Sequence, residues 1–247
     1  MTADGVDLEA LASGYRLRGG DDAALASHAA GAAGLGPGTL ALDIGGGPGR
    51  HAAVLAATGA VAVVVDPSVG MTHRAAAAHP TIRGRGEALP IRDGAVDLAY
   101  FHLSIHHGDP GAMLSEAVRV CRPGGLVWVW TLAPDHHRSS FLARWFPTVG
   151  EIDAARFPHP GHLADLMAGA GCGPVARSTR LLTRTRTAGE WAAAVRAGFV
   201  STLQLVPAAE IEAGLERFGA EHPDPAGEVS YEQRYARVSA RTAAGGA

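Results

Sequence analysis

The 247 residues are long for one average domain, yet α/β folds of this length are often undivided. Hydrophobic residues make up 47% and charged residues 18%, which supports a sizeable core and argues against global disorder. A net charge of −3 gives no electrostatic attraction to nucleic acid or to an anionic membrane, so neither is expected as a partner. The two cysteines, Cys121 and Cys172, are too few for a disulfide framework or a cysteine-built zinc site. The start MTADGVDLEA lacks the basic and apolar runs of a signal peptide, and the apolar stretches fall short of the ~20 residues of a membrane helix. A soluble, cytoplasmic protein is therefore expected.

Along the chain, apolar runs alternate with helical patterns, as in βαβ units on a parallel sheet. Leu8, Leu11, Ala12 and Tyr15 predict a short helix ending near Gly19-Gly20, and a second helix is expected from Asp22 to Ala33. Thr39 to Leu42 reads as a strand running into a glycine cluster, followed by a helix from Arg50 to Thr58 that stops at Gly59. Val61 to Val65 is a β-branched run suited to a strand buried on both faces, and Ser68 is placed to cap the helix after it. Strands are expected near Thr81 to Arg85, at Val96 to Phe101 and at Leu126 to Trp130. Between the last two, Asp109-Pro110 predicts the start of a helix that turns Met113, Leu114, Ala117, Val118 and Cys121 to the core and ends at Pro123-Gly124-Gly125.

From Ala133 to Pro160 the pattern is irregular, and a helix is expected from about Gly161 to Ala170. Val175 to Arg186 alternates, which predicts an antiparallel edge strand with arginines guarding the edge. Thr187 to Glu190 has the form of a capping box, opening a helix with Trp191, Val195 and Phe199 on one side. A further helix starts at Pro207, and Glu228 to Arg237 is expected to pair with the 175–186 strand.

The turn Asp43-Ile44-Gly45-Gly46-Gly47-Pro48-Gly49 carries the strongest functional signal. Glycine permits positive φ and leaves no side chain between backbone and ligand, while a helix start points N–H groups back at the turn. Nicotinamide enzymes and methyltransferases share such a strand–turn–helix unit. The dinucleotide fingerprint needs a third glycine where Arg50 stands, and no Gly-Lys-Ser/Thr of a Walker loop follows. Asp66 closes the next strand, where an acid can accept both hydroxyls of an adenosine ribose.

The strings LALDIGGGPGR, VVVDPS, GEALPIRDGAVDLAY, SIHHGDP and RVCRPGGLVWVW, in this order and spacing over about residues 38 to 132, resemble the class I S-adenosylmethionine-dependent methyltransferases, and most closely their type 11, small-molecule branch. The resemblance implies a Rossmann-like doubly wound α/β sheet of seven strands, mostly parallel with an antiparallel final hairpin, and S-adenosyl-L-methionine as cofactor. It implies that Asp43, Gly45, Gly46, Gly47 and Gly49 border the methionine part, that Asp66 with Pro67 meets the ribose, and that Met71 packs near the adenine. Glu87, Ala88 and Leu89 would line the adenine edge, with His102 and Leu103 along the cofactor. One position departs from the family: Arg85 stands where an acid usually meets the adenine amino group, and Glu87 or a backbone carbonyl is the expected substitute.

Methyl transfer needs alignment, exclusion of water and, for many acceptors, removal of a proton, a task suited to histidine. His106 and His107 are the candidate general bases, with cofactor positioning as their alternative role. Asp135 with His136-His137, and His159 with His162, lack the i, i+4 spacing of motif-built metal sites, so no metal is expected. Phe141, Trp145, Phe146 and Phe157 suit either an acceptor pocket or ordinary packing. The expected organisation is one domain over 1–247, with N-terminal helices in 1–35, the cofactor core in 36–132, and acceptor-side helices in 133–170 and 187–222. The expected activity is O-, N- or C-methylation of a small-molecule acceptor, with oligomeric state open. A cofactor-retaining scaffold, regulator or cyclisation catalyst is the alternative.

Overall fold

The computed structural model describes residues 5–14 and 22–244. The expected first helix is present as α1 (Leu8–Gly14), while Tyr15 and Gly19-Gly20, which enter that expectation, lie outside the described residues. Seven strands form one sheet in the order β3-β2-β1-β4-β5-β7-β6, where β1 is Leu40–Ile44, β2 Val61–Asp66, β3 Thr81–Arg83, β4 Val96–His102, β5 Cys121–Leu132, β6 Ala176–Thr187 and β7 Glu228–Arg241. Strands β1 to β5 pair in parallel, in register from Leu40↔Val61 to Ile44↔Val65 and from Ala41↔Leu98 to Ile44↔Phe101. The last strands run antiparallel: the Thr242 N–H donates to the Gly125 carbonyl and the Ala133 N–H to the Arg234 carbonyl, so β7 descends as β5 ascends. The expected sheet is therefore present, with β7 next to β6.

Two compact units divide the chain. One comprises 22–131, 158–179 and 236–247, and the other 1–21, 132–157 and 180–235. The first holds α2 (Ala23–Ala33), α3 (Arg50–Ala56), α4 (Val69–Ala75) and α5 (Pro110–Val120). Its core joins Leu42, Ile44, Phe101 and Val127 of the strands to Met113, Leu114, Ala117 and Val120 on one face of α5. Each large apolar side chain buried in this way contributes about 1.5–3 kcal/mol. The α5 start follows its sequence: Pro110 sits in the first turn, where no N–H is needed, and the Asp109 carboxylate accepts the Ala112 N–H at 2.6 Å.

Pro123-Gly124-Gly125, expected to separate helix from strand, instead lies inside β5. Val96 faces Cys121 while Leu98 faces Leu126, a bulge that absorbs the extra residues, with Gly124 at φ 74°.

The second unit gathers short helices from the stretch that reads as irregular: α6 (His136–Ser139), α7 (Phe141–Trp145) and α8 (Pro147–Arg156). Helices α6 and α7 are too short to show a helical period, and α8 turns Val149, Gly150 and Asp153 inward, a buried face with a single large apolar side chain. The expected 133–170 grouping divides at Phe157, and the helix beyond it, α9 (Pro160–Gly169), packs Leu163 and Met167 into the first unit. In the second unit Trp145, Phe146, Trp191 and Phe218 form a buried aromatic core, with α10 (Ala188–Arg196) opened by the Thr187–Glu190 capping box and α11 (Ala208–Glu221) beside α7. Trp145 and Phe146 thus serve as core packing. Arg184 departs from the expected exposed guard of the edge strand: it is buried, and its guanidinium donates to the Tyr235 hydroxyl at 2.9 Å.

Candidate cofactor site

Every candidate site residue lies in the first unit. In doubly wound sheets ligands bind beyond the carboxyl ends of the strands, where the strand order reverses. Here β1 is that point, with β2 on one side and β4 on the other. The glycine turn leaves β1, Asp66 ends β2 and His102 ends β4, so the topology brings three distant segments to one edge.

The turn is held from three directions. The Gly45 N–H donates to the Val65 carbonyl at 2.7 Å, the Gly47 N–H to Asp66 Oδ2 at 3.0 Å, and the Ser104 hydroxyl to the Ile44 carbonyl at 2.6 Å. Gly45, Gly47 and Gly49 take φ of 69°, 55° and 86°, a region that side chains resist. Their second reason is internal to the protein. A Cβ at Gly46 would come within 2.5 Å of the Asp43 carboxyl carbon, one at Gly49 within 2.7 Å of the His79 ring, and one at Gly45 would collide with Ser104. The glycine pattern thus serves packing as well as the approach of a ligand.

Asp43 is fully buried. Its Oδ2 accepts the Ala52 N–H at 3.1 Å, while Oδ1 has no hydrogen-bond partner. Burial pushes its carboxyl up to about 6, against the opposing pull of His51. A buried acceptor oxygen without a donor calls for one from a ligand. The ammonium of a bound amino acid supplies a charged donor of that kind. Asp66 accepts the Gly47 N–H on Oδ2 and the Ser68 N–H on Oδ1 at 2.9 Å, and carboxylate oxygens retain lone pairs for hydroxyl donors. The residues present therefore fit S-adenosylmethionine.

Farther along the edge, the Ser68 hydroxyl caps α4 by accepting the Met71 N–H, and Met71 is buried. Arg85 pairs with Glu87 at 2.8 Å, and the same Glu87 oxygen accepts the Asp109 N–H at 3.3 Å. The unusual arginine thus fastens the acid expected to replace the family's own. Ala88 is exposed and Leu89 is in the core, so the two differ in access. Arg119 braces this loop, donating to the Leu89 and Ile91 carbonyls at 3.0 and 2.9 Å. Its bonds to Glu116 hold that carboxyl below the ordinary carboxylate value.

Leu103, at φ 50°, is the one non-glycine residue with positive φ among the described residues, and its N–H donates to the Trp130 carbonyl. A strained residue at the end of a ligand-binding strand fits the expected contact with a ligand. His106 and His107 form a 3-10 turn (Ile105–His107) with ring centroids 4.0 Å apart, His106 buried and His107 partly so.

The other histidine pairs have roles of their own. His136 and His137 are buried, and burial lowers both, His136 to about 4, while Asp135 pairs with Arg234 at 2.9 Å. His159 Nδ1 accepts the Gly161 N–H and so caps α9. Sequence reading passed over Asp22 and His51, which meet His102 in space. No spacing rule links them, because they come from three separate elements.

Known proteins resemble this chain in sequence over part of its length and in fold. Residues 42–129 match a family model described as a methyltransferase domain. An uncharacterized methyltransferase of Mycobacterium sp. (strain JLS) is 41% identical over 93 residues, 36% of this chain and 37% of the relative. The chain thus spans little more than a third of that relative's length. A putative methyltransferase from an antibiotic biosynthesis pathway of Anabaena variabilis ATCC 29413 has a similar fold, with TM-score 0.65 and 23% identity, over 86% of this chain and 96% of that one. A geranyl diphosphate C-methyltransferase of Streptomyces coelicolor A3(2), in complex with S-adenosyl-L-homocysteine, superposes with TM-score 0.54 at 15% identity over 89% and 79% of the two chains.

Proposed function

We propose, starting from the match of residues 42–129 to a methyltransferase-domain family model, that this chain transfers a methyl group from S-adenosylmethionine to an oxygen, nitrogen or carbon of a small molecule. The observation that carries the reading is the bonded pair of Gly47 and Asp66 beside the buried, unbonded Asp43 oxygen. In this reading Asp43 takes the cofactor's ammonium and Asp66 its ribose hydroxyls. Gly45 to Gly49 with Pro67 and Met71 shape the slot, Glu87, Ala88 and Leu89 border the adenine, and His102 and Leu103 lie along the cofactor. When bound, the cofactor supplies an electrophilic methyl on a sulfonium. The protein's part is to align the acceptor and exclude water. His106 and His107 are the candidates for removing the acceptor's proton.

A small metabolite is favoured as acceptor because the net charge of −3 provides no general attraction for nucleic acid. The C-methyltransferase named above shows that this fold serves a small acceptor elsewhere, which is support by analogy. A cytoplasmic setting belongs to the same proposal. Among the described residues no helix is long and apolar enough to cross a membrane. Incubation with methyl-labelled cofactor and fractionated metabolites tests the reading. Label should enter a small-molecule fraction, and its appearance only in RNA or protein would overturn the assignment.

A further inference from the structure

Asp22, His51 and His102 stand outside the roles assigned above, His102 in its side chain if not in its backbone. Asp22 precedes α2, His51 lies in the first turn of α3, and His102 ends β4. His51 Nε2 is 3.3 Å from Asp22 Oδ1 and His102 Nε2 is 3.5 Å from Asp22 Oδ2. The two imidazole centroids are 4.1 Å apart, and one ligand atom from each of the three residues lies within 4.8 Å of the others. The histidine side chains are 8% and 3% exposed and the Asp22 side chain 14%.

We propose that these three side chains bind a divalent transition-metal cation, with zinc as the reference ion. The distances decide between metal binding and hydrogen bonding. Charge-assisted bonds from imidazole to carboxylate run about 2.7–2.9 Å. Both separations here are longer, and His51 Nε2 makes no hydrogen bond at all. Tetrahedral zinc with ligand bonds of about 2.0–2.1 Å sets neighbouring ligand atoms roughly 3.3–3.5 Å apart. The His51 Nε2–Asp22 Oδ1 separation of 3.3 Å is such a spacing, and the third ligand atom lies within 4.8 Å of both partners, a distance that a bound ion would draw in.

The Asp22 carboxylate lies towards both imidazoles, with Oδ1 near His51 Nε2 and Oδ2 near His102 Nε2. The setting is also negative: Asp43 acts electrostatically on both His51 and Asp22, so a dication is attracted to the cluster. Two imidazoles and one carboxylate suit zinc, iron and their first-row neighbours. Three protein ligands leave a position open to water or to an oxygen of a bound molecule. The binding proposal does not rest on methyl transfer.

The test uses the full-length chain, stripped with a chelator and titrated with zinc chloride by calorimetry. A second metal-free sample is titrated with cobalt(II) and its visible absorption recorded. One equivalent of zinc should bind and raise the melting temperature. One equivalent of cobalt should bind the metal-free protein with the intense visible bands of low coordination number, which disappear when zinc, the tighter-binding ion, is added. Asp22→Asn and His51→Ala should each weaken zinc by at least about 100-fold, since even losses of outer-shell partners reach about that size. His137→Ala, in the other unit, should bind as the wild type does. Absence of stoichiometric zinc and cobalt binding by the wild type overturns the proposal. So does zinc affinity left unchanged in a folded Asp22→Asn or His51→Ala. If His51→Ala fails to fold, the near-isosteric Asp22→Asn and the cobalt spectrum of the wild type still decide.

Discussion

Gly47 and Asp66 are joined by a 3.0 Å hydrogen bond from the glycine N–H to Oδ2 of the acid, which ties the turn leaving β1 to the last residue of β2. The same carboxylate also holds the Ser68 N–H. Asp66→Ala should therefore do two things. Loss of a charged acceptor for the ribose should weaken S-adenosylmethionine binding by about 1.5–3 kcal/mol, read by calorimetry. Two backbone donors left without their acceptor should also lower stability in the absence of cofactor, read by thermal unfolding. Unchanged affinity in a folded variant would remove Asp66 from the site.

Asp43 sets a pH dependence. Burial raises its carboxyl to about 6, so in the free protein it is ionised above that pH and protonated below it. A bound ammonium favours the charged form and pulls the value down. Affinity for the cofactor should therefore be level above about pH 7 and weaken as pH falls through about 6, by up to about tenfold per unit. Asp43→Asn should bind more weakly and lose this slope. Calorimetric titrations across the range check both, and an equal slope in the variant assigns it to another group.

Asp153 of α8 gives a stability test remote from the cofactor. It is buried, accepts the Thr202 hydroxyl at 2.6 Å, and is pushed up to about 6 by desolvation. A carboxyl raised on folding binds its proton more tightly in the folded state. Its contribution is present below the unfolded value of 3.8 and is lost as pH rises to about 6. Asp153→Asn keeps an acceptor for Thr202 and avoids the buried charge. The variant should be more stable than wild type near pH 7.5 by roughly 1–3 kcal/mol, with little difference near pH 4. Equal melting temperatures at both pH values would refute the assignment.

Arg119 is the brace of the loop proposed to border the adenine, with its guanidinium shared among Glu116, Asp93 and the Leu89 and Ile91 carbonyls. Arg119→Leu should cost about 1–3 kcal/mol of stability. It should also raise hydrogen exchange at residues 87–91 before exchange rises elsewhere. Exchange that increases evenly along the chain would show that Arg119 supports the fold as a whole rather than this loop.

Much of the fold was legible because it rests on local signals: β-branched runs, glycines at forced φ, and caps such as Ser68, Asp109 and Thr187. Those signals placed β1, β2, β4, α5 and α10 to within a few residues. Where tertiary context decides, reading along the chain failed. Helices α6 and α7 are too short to display a period, α8 buries a face of Val149, Gly150 and Asp153 that does not read as apolar, and Pro123-Gly124-Gly125 is absorbed by a bulge that depends on pairing with β4. Arg184 looked like an exposed guard because its partner Tyr235 lies 51 residues away. Asp22 and His51 were missed for the same reason, since their meeting with His102 is a property of the sheet edge.

The place of β7 between β5 and β6 has a consequence for how the chain is made. On the ribosome, β5 and β6 emerge long before the strand that lies between them. Until residues 228–241 arrive, β5 presents an unpaired row of N–H and C=O groups beside an apolar surface, a template for pairing with other chains. Synthesis of the sheet is thus vectorial in one half and retrospective in the other. Protection of that open edge by a chaperone, or a slow rate of translation, would be felt as yield of soluble protein rather than as a change in the finished molecule.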